Sequence, residues 1–367
     1  MIFFWAETPD GWGIPGLHGP WAEDELDGYV QSGVYLIRGK GENILIDTGN
    51  WTTPDYDNGM GKFLIEKLDR EKNDLKYILI THFHYDHTGN ASVLKKRYGA
   101  EVVAHPLDKP IIEDPMLVTK AENLERFGVT PQEVLSDFNL KPGESLGLSD
   151  PEIVRKHWNR PVEVDLSVDD GEVLEVGGLK LEIVHLPGHC PGQIGVWNPH
   201  SGVLYAADIM HYPTPLGPYP IGNAKAHRQS IERAITIKPQ LILEGHGLSA
   251  YSPDSAMRRL LHMRRQQDDT EFRILHVLAQ AGRPMTTLEL VPEVMPVKTE
   301  LDYAVSTGIG MRRCYSECCI QTHLLWHIEK GNSERVSEGG LVKFIVTQKG
   351  KNWAAEEFEA RKSNNWS

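Results

Sequence analysis

Four cysteines in 367 residues, at positions 190, 314, 318 and 319, are too few for a disulfide framework in a chain of this length. No stretch approaches the roughly 18 consecutive apolar residues of a membrane span. Basic residues are also scarce: 38 Lys and Arg against 51 Asp and Glu leave a net charge of −13. That excludes the broad positive surface on which non-specific nucleic-acid binding depends, though not a local basic patch. Residues 1–6 are apolar but have no basic residue among them and meet Glu7 and Asp10 at once. This is not the pattern of a secretory signal, and the expectation is a cytoplasmic protein without a membrane partner. Internal repeats and low-complexity linkers are lacking as well. What is present is ordinary globular material, 40% hydrophobic and 24% charged. At roughly 150 residues per domain the length fits two or more compact units.

Three textures follow one another. From residue 34 to about 104, short β-branched runs (34–37, 43–46, 77–80, 101–104) alternate with helical stripes such as Val93, Leu94 and Tyr98, closed by Gly99. Residues 106–161 hold helix formers broken by Pro115, Pro131, Pro142 and Pro151, which reads as a helical insertion. The strand pattern then resumes at 173–176, 179–185, 194–197, 203–206 and 241–243. Beyond about residue 262, Phe272, Leu275 and Leu278 mark an amphipathic helix, Thr286 and Glu289 a capping box, and residues 318–328 a third helix. A hairpin pattern follows, centred on Gly339-Gly340, and three helices followed by a hairpin outline a winged helix.

The segment Thr81-His82-Phe83-His84-Tyr85-Asp86-His87 concentrates four metal-binding side chains in six residues at a strand-to-helix turn. Imidazole suits zinc, and a neighbouring carboxylate adds charge and oxygen ligation. Three further groups leave strand ends in the same manner: His189 in a Pro/Gly turn, Asp208 after an apolar run, and His246 between two glycines. Functional side chains are concentrated on loops that a rigid scaffold holds.

From about residue 34 to 259 this chain resembles the metallo-β-lactamase superfamily. The resemblance implies an α+β fold, an αββα sandwich of two β-sheets with helices outside, here with the insertion at about 106–161. It casts His82, His84 and His189 as ligands of a first metal and Asp86, His87 and His246 as ligands of a second, with Asp208 bridging both. Two Zn2+ are the implied cofactors, with Fe or Mn as alternatives. Asp47, in Leu45-Ile46-Asp47-Thr48-Gly49, matches a motif that supports the site from behind. Departures narrow the branch. Best-known β-lactamases place a cysteine on the second metal where this chain has Asp208, and the di-iron flavoproteins carry Glu where it has His84. A persulfide-dioxygenase branch with similar motifs binds one iron. Asp208 is closest to the glyoxalase II, lactonase and small-endonuclease pattern. Cys190 stands where the family usually carries Thr or Ser, and reads as a packed turn residue, with an oxidation-sensitive thiol as the alternative.

The domain organisation expected is an N-terminal loop segment (1–33), a catalytic domain (34–260) and a winged-helix-like module (261–367). A metallo-β-lactamase domain followed by such a module is similar to the β-lactamase-like protein 2 group, which includes a single-strand endoribonuclease and fungal polyketide thioesterases. The third helix carries hardly any of the Arg and Lys that a groove-reading helix needs. Packing on the catalytic domain, covering the site or forming a homodimer contact are the roles expected of the module instead. Cys314, Cys318, Cys319, His323 and His327 fall largely at helical spacing and read as its core rather than a second metal site. The expected reaction is hydrolysis of a small-molecule ester, thioester or lactone. Two metals roughly 3.5–4 Å apart would lower the pKa of a bridging water, whose hydroxide attacks the carbonyl. Asp86 and Asp208 are the catalytic carboxylates, with His211 and Tyr212 as candidates to orient substrate or donate to the leaving group and Tyr85 as a pocket residue. A metal-dependent endoribonuclease acting on single-stranded RNA is the competing reading, and a non-catalytic binding module a third. The glycine- and proline-rich stretch 11–21 is expected to form no regular element.

Overall fold

The computed structural model describes residues 6–14, 17–18, 30–50, 60–120, 123, 126, 136–139, 151, 154–155, 160–210, 222–246, 252–295 and 316–363. Two sheets form the centre. The first contains β1 (Ala6–Glu7) and β2 (Gly11–Ile14), while β3 (Leu17–His18) and β4 (Val30–Gln31) pair separately as a short ribbon. It continues through β5 (Val34–Arg38), β6 (Glu42–Ile46), β7 (Asp74–Leu79), β8 (Glu101–Ala104) and β9 (Leu166–Ser167), in the order β1-β2-β5-β6-β7-β8-β9. Pairing is antiparallel from β1 to β6 and parallel from β6 to β9. The second sheet runs β10 (Val173–Val176), β11 (Leu179–His185), β12 (Ile194–Asn198), β13 (Val203–Ala207) and β14 (Leu241–Glu244) in sequence order, with only β13 and β14 parallel.

Strand β6 shows why its sequence is an unbroken apolar run. Ile44 and Ile46 point between the sheets, against Ile183 and Val196, while Leu45 points outward against Leu64 and Leu94. Period-2 alternation with apolar layers on both faces leaves no place for a polar residue. The outward layers are helical: α1 (Met60–Leu68), α2 (Tyr85–Thr88), α3 (Ala91–Tyr98) and α4 (Lys109–Glu113) follow the first sheet. Helices α5 (Ala224–Ile237) and α6 (Pro253–Ala281) supply Ile231, Ala234 and Leu260 to the core beneath the second. The layers are therefore those of the expected αββα sandwich.

Part of the stretch 11–21 departs from expectation. Gly11–Ile14 is a strand of the first sheet, with Gly11 opposite Ile37 and Ile14 opposite Val34. Glycine weakens a strand by propensity, but here it permits close approach: a Cβ on Gly11 would sit 2.0 Å from the Leu36 carbonyl oxygen.

After α6 come α7 (Thr287–Val294), α8 (Cys318–Glu329), the hairpin β15 (Ser333–Glu338) and β16 (Leu341–Val346), and α9 (Gln348–Ser363). The capping box at Thr286 and Glu289 is formed in both directions. Helix α6 serves two cores. Its Ala256, Leu260 and Met263 face the catalytic sheet, and its Ile274, Leu275 and Leu278 face α7, α8 and the hairpin. The expected boundary at 260–261 thus falls inside one continuous helix. Of the insertion, the described part includes α4, a 3-10 turn (Pro115–Thr119) and residues 136–139, which dock on the C-terminal module. Asp137, fully buried, takes two bonds from Arg335 (2.7 and 2.8 Å) and one from Gln321 (3.1 Å). Asn139 exchanges bonds with the backbone of Val342.

Candidate metal centre

The two sheets bring four strand ends to one edge of the sandwich. His82 and His84 lie just past β7, and Asp86 and His87 on the short helix α2. His189 sits in the turn after β11, Asp208 directly after β13, and His246 two residues after β14. All seven side chains are buried. His82 Nε2 and His189 Nε2 each approach His84 Nδ1 to 3.0 Å. Asp86 Oδ2 lies 3.1 Å from His246 Nε2 and 3.7 Å from His87 Nε2. Asp208 faces both groups: Oδ2 is 3.3 Å from His189 Nε2 and 3.2 Å from His246 Nε2, and Oδ1 is 3.4 Å from His87 Nε2. Among the described residues, every cluster of three or more potential ligands belongs to this site. His211 and Tyr212 lie outside the described residues.

Local structure holds the cluster from behind. Asp47 accepts from the Thr81 amide and hydroxyl, both at 2.8 Å, and its Oδ2 is 2.7 Å from His87 Nδ1. That contact turns His87 Nε2 toward the cluster, the usual service of a carboxylate behind a ligand imidazole. Backbone torsion contributes as well: Asp47 and Ala207 have φ of 56° and 48°, a region that non-glycine residues seldom occupy away from functional sites. Gly245 has no alternative, because a Cβ there would lie 1.9 Å from Asp208 Oδ1.

The sequence reading missed Asp108. This carboxylate, fully buried, accepts from the Phe83 amide at 3.1 Å and the Gly192 amide at 2.8 Å. It therefore ties the His82–His84 segment to the His189 loop. Burial lifts it to about 7 against the pull of those two donors. Its only sequence signal is a position just beyond β8, another strand end. Cys190 is also placed by the structure: wholly buried, its Sγ lies 3.4 Å from His84 Nε2. Burial raises its thiol well above the usual range, which removes the thiolate on which oxidation sensitivity depends.

The donor set fits a divalent metal. A ring nitrogen carries either one proton or one lone pair, and three converge here, His82 Nε2 and His189 Nε2 each 3.0 Å from His84 Nδ1. A cation satisfies three converging lone pairs at once. Burial keeps His82 well below its ordinary value and His84 at about 3, so both are neutral donors. Burial also opposes charge on His87 and His246. The carboxylates around them outweigh it, lifting His87 well above its usual value and His246 to about 9. Asp86 is held below the carboxylate range, since His87 and His246 outweigh the effect of burial. The cluster thus attracts positive charge. His87 Nε2, buried, makes no hydrogen bond.

The thiols and histidines of α8 form no comparable cluster. His323 Nδ1 donates to the Cys319 carbonyl at 2.8 Å and His327 Nε2 to the Glu271 carbonyl at 3.2 Å, as core residues do. Cys314 lies outside the described residues.

Residues 27–246 match the family model of the metallo-beta-lactamase superfamily. Hydroxyacylglutathione hydrolase GloC of Haemophilus influenzae is 29% identical over 153 residues, 41% of this chain and 58% of that enzyme, less than two thirds of its length. A beta-lactamase-like protein 2 homolog of Drosophila melanogaster is 25% identical over 86% of this chain and 87% of its own. Acyl-coenzyme A thioesterase MBLAC2 of Bos taurus is 23% identical over 58% of this chain and 71% of that enzyme. In structure, a metallo-beta-lactamase family protein of Thermus thermophilus superposes with a TM-score of 0.65 at 21% identity, covering 90% of this chain and 97% of that one. The model match spans well over half of the sequence and includes all seven residues of the cluster, so this chain belongs to the metallo-beta-lactamase superfamily.

Proposed function

We propose that this chain is a dinuclear zinc-dependent hydrolase that cleaves a small-molecule ester, thioester or lactone. The observation that carries the reading is Asp208, whose two oxygens face His189 and His246 on one side and His87 on the other. One carboxylate placed between two ligand triads is what a two-metal site requires. His82, His84 and His189 would hold one ion, Asp86, His87 and His246 the other, and Asp208 both. Zinc held there supplies a lowered pKa for water and a Lewis acid for the carbonyl oxygen. Iron or manganese would suit the same donors.

The chain's own residues do the remainder. Asp86, whose Oδ2 lies 3.1 Å from His246 Nε2, is proposed to pass a proton onward from the reacting centre. Asp47 and Asp108 fix the ligand loops, so that little reorganisation accompanies reaction. His211 and Tyr212, which follow Asp208, are proposed to orient the substrate or donate to the leaving group.

Hydrolase names among the relatives, a hydroxyacylglutathione hydrolase and an acyl-coenzyme A thioesterase, support a small acyl substrate. Helix α8 counts against the endoribonuclease reading. Its more exposed positions are Leu325, Trp326, Ile328 and Glu329, and no Lys or Arg lies between Cys318 and Glu329 to meet a phosphate backbone. The test is turnover by zinc-loaded protein on lactones, acyl thioesters, simple esters, a cephalosporin and single-stranded RNA. Hydrolysis of one acyl class is expected, with Asp208→Ala at least a thousandfold slower; cleavage of RNA alone would overturn the assignment.

A further inference from the structure

A cleft of about 450 Å3 opens between the His189 loop, the start of α5 and helix α8. This volume is within the range of small-molecule sites, which favour such boundaries between structural units. Its floor includes Pro187, Gly188 and Pro191, the backbone that flanks His189 and Cys190. Across from it, α8 contributes Thr322, Leu325, Trp326 and Glu329, at spacings that place them on one helical face.

The polar groups on the rim are engaged by neighbours. Lys225 pairs with Glu329 across the opening. Arg126 donates to Asn123 Oδ1 at 3.0 Å and to the Leu107 carbonyl at 3.2 Å. The first amides of α5 are capped too, Ala224 by Thr322 Oγ1 at 2.9 Å and Ala226 by Asn223 Oδ1 at 2.9 Å. With Lys225 matched by Glu329, Arg126 held by neutral partners and the helix end capped, the cleft is not built as a polyanion site. Carbon surface from Leu107, Pro187, Pro191, Leu325 and Trp326 dominates what a ligand would meet.

We propose that this cleft receives the acyl chain of the substrate, a straight chain of medium length, while its carbonyl lies at the metal centre. The inference rests on the hydrolase reading for its orientation. Helix α8 becomes a specificity element, which gives the C-terminal module a role in substrate choice. At about 30 Å3 per water-sized group, the space accepts on the order of a dozen carbons.

Titration calorimetry of the zinc-loaded protein with straight-chain carboxylates from butyrate to dodecanoate tests it. Each buried methylene is worth about a fourfold gain in affinity at best, so decanoate is expected to bind at least tenfold tighter than butyrate. Leu325→Asp and Trp326→Ala are expected to flatten that slope while leaving butyrate within about twofold, and Trp326→Phe to restore it. A Kd independent of chain length, or a slope unchanged in Leu325→Asp, overturns the proposal even if esters are hydrolysed. Chain-length-dependent binding without turnover of any ester would uphold the cleft and sink the hydrolase reading.

Discussion

Asp108 touches the metal cradle from outside, whereas the Cys190 thiol sits among the potential ligand atoms of His82, His84 and His189. Asp108 uses both oxygens on backbone amides of two different ligand loops. Asp108→Asn keeps the shape but offers one acceptor for two donors. We expect metal affinity to fall ten- to a hundredfold, as for other residues that orient ligands, with the far-UV spectrum retained; chelator competition measures it, and an unchanged affinity would show that the clamp does not matter. Cys190 is sealed from solvent with its thiol pushed up. Alkylation at pH 8 should therefore leave it unmodified in the folded protein and complete only in denaturant. The motif His82-x-His84-x-Asp86-His87 was legible because its spacing is local. Asp108 was not, since it acts on Phe83 and Gly192, which are distant in sequence.

At the scale of elements, each ligand loop works because something beneath it allows a close approach. The strand β14 delivers His246 through Gly245, where any side chain meets Asp208. Gly245→Ala is expected to abolish tight binding of the metal and at least a hundredfold of turnover, read by metal content after gel filtration. Helices α5 and α8 carry a different liability. Burial holds His227 at about 3, His323 at about 4 and His327 at about 3, below the unfolded value of about 6.5. The unfolded chain thus binds protons that the folded one refuses. The stability contribution of these three histidines is full above about pH 6.5 and is lost as pH drops from there toward 4. Melting curves at pH 7 and pH 5 should show that drop, and His323→Gln should lessen it; equal drops in both proteins would rule this histidine out.

Across the whole molecule, the insertion, α6 and the C-terminal module are fastened to one another rather than strung in line. Arg335 reaches back to the buried Asp137, and Arg259 of α6 grips the buried Glu244 beside the metal loop at 2.9 and 3.0 Å. Removing one partner strands a buried carboxylate. Arg335→Ala is expected to cost about 2 kcal/mol or more, seen as a lower denaturation midpoint. Chelating the metal should lower the melting temperature as well, since an ion that binds only the folded state stabilises it. The amino-acid sequence by itself determined the alternating strands, the capping box of α7 and the seven clustered side chains, and the family resemblance carried by those side chains implied the layered fold class. Those features are written in local periodicity and in residue chemistry at short spacing. Only the tertiary structure decided that Gly11–Ile14 is a strand, that α6 belongs to two cores, that Asp137 bridges to Arg335 and that Asp108 joins two ligand loops. Each of these rests on contacts between segments far apart in the chain, where burial and close approach override what a local pattern can specify.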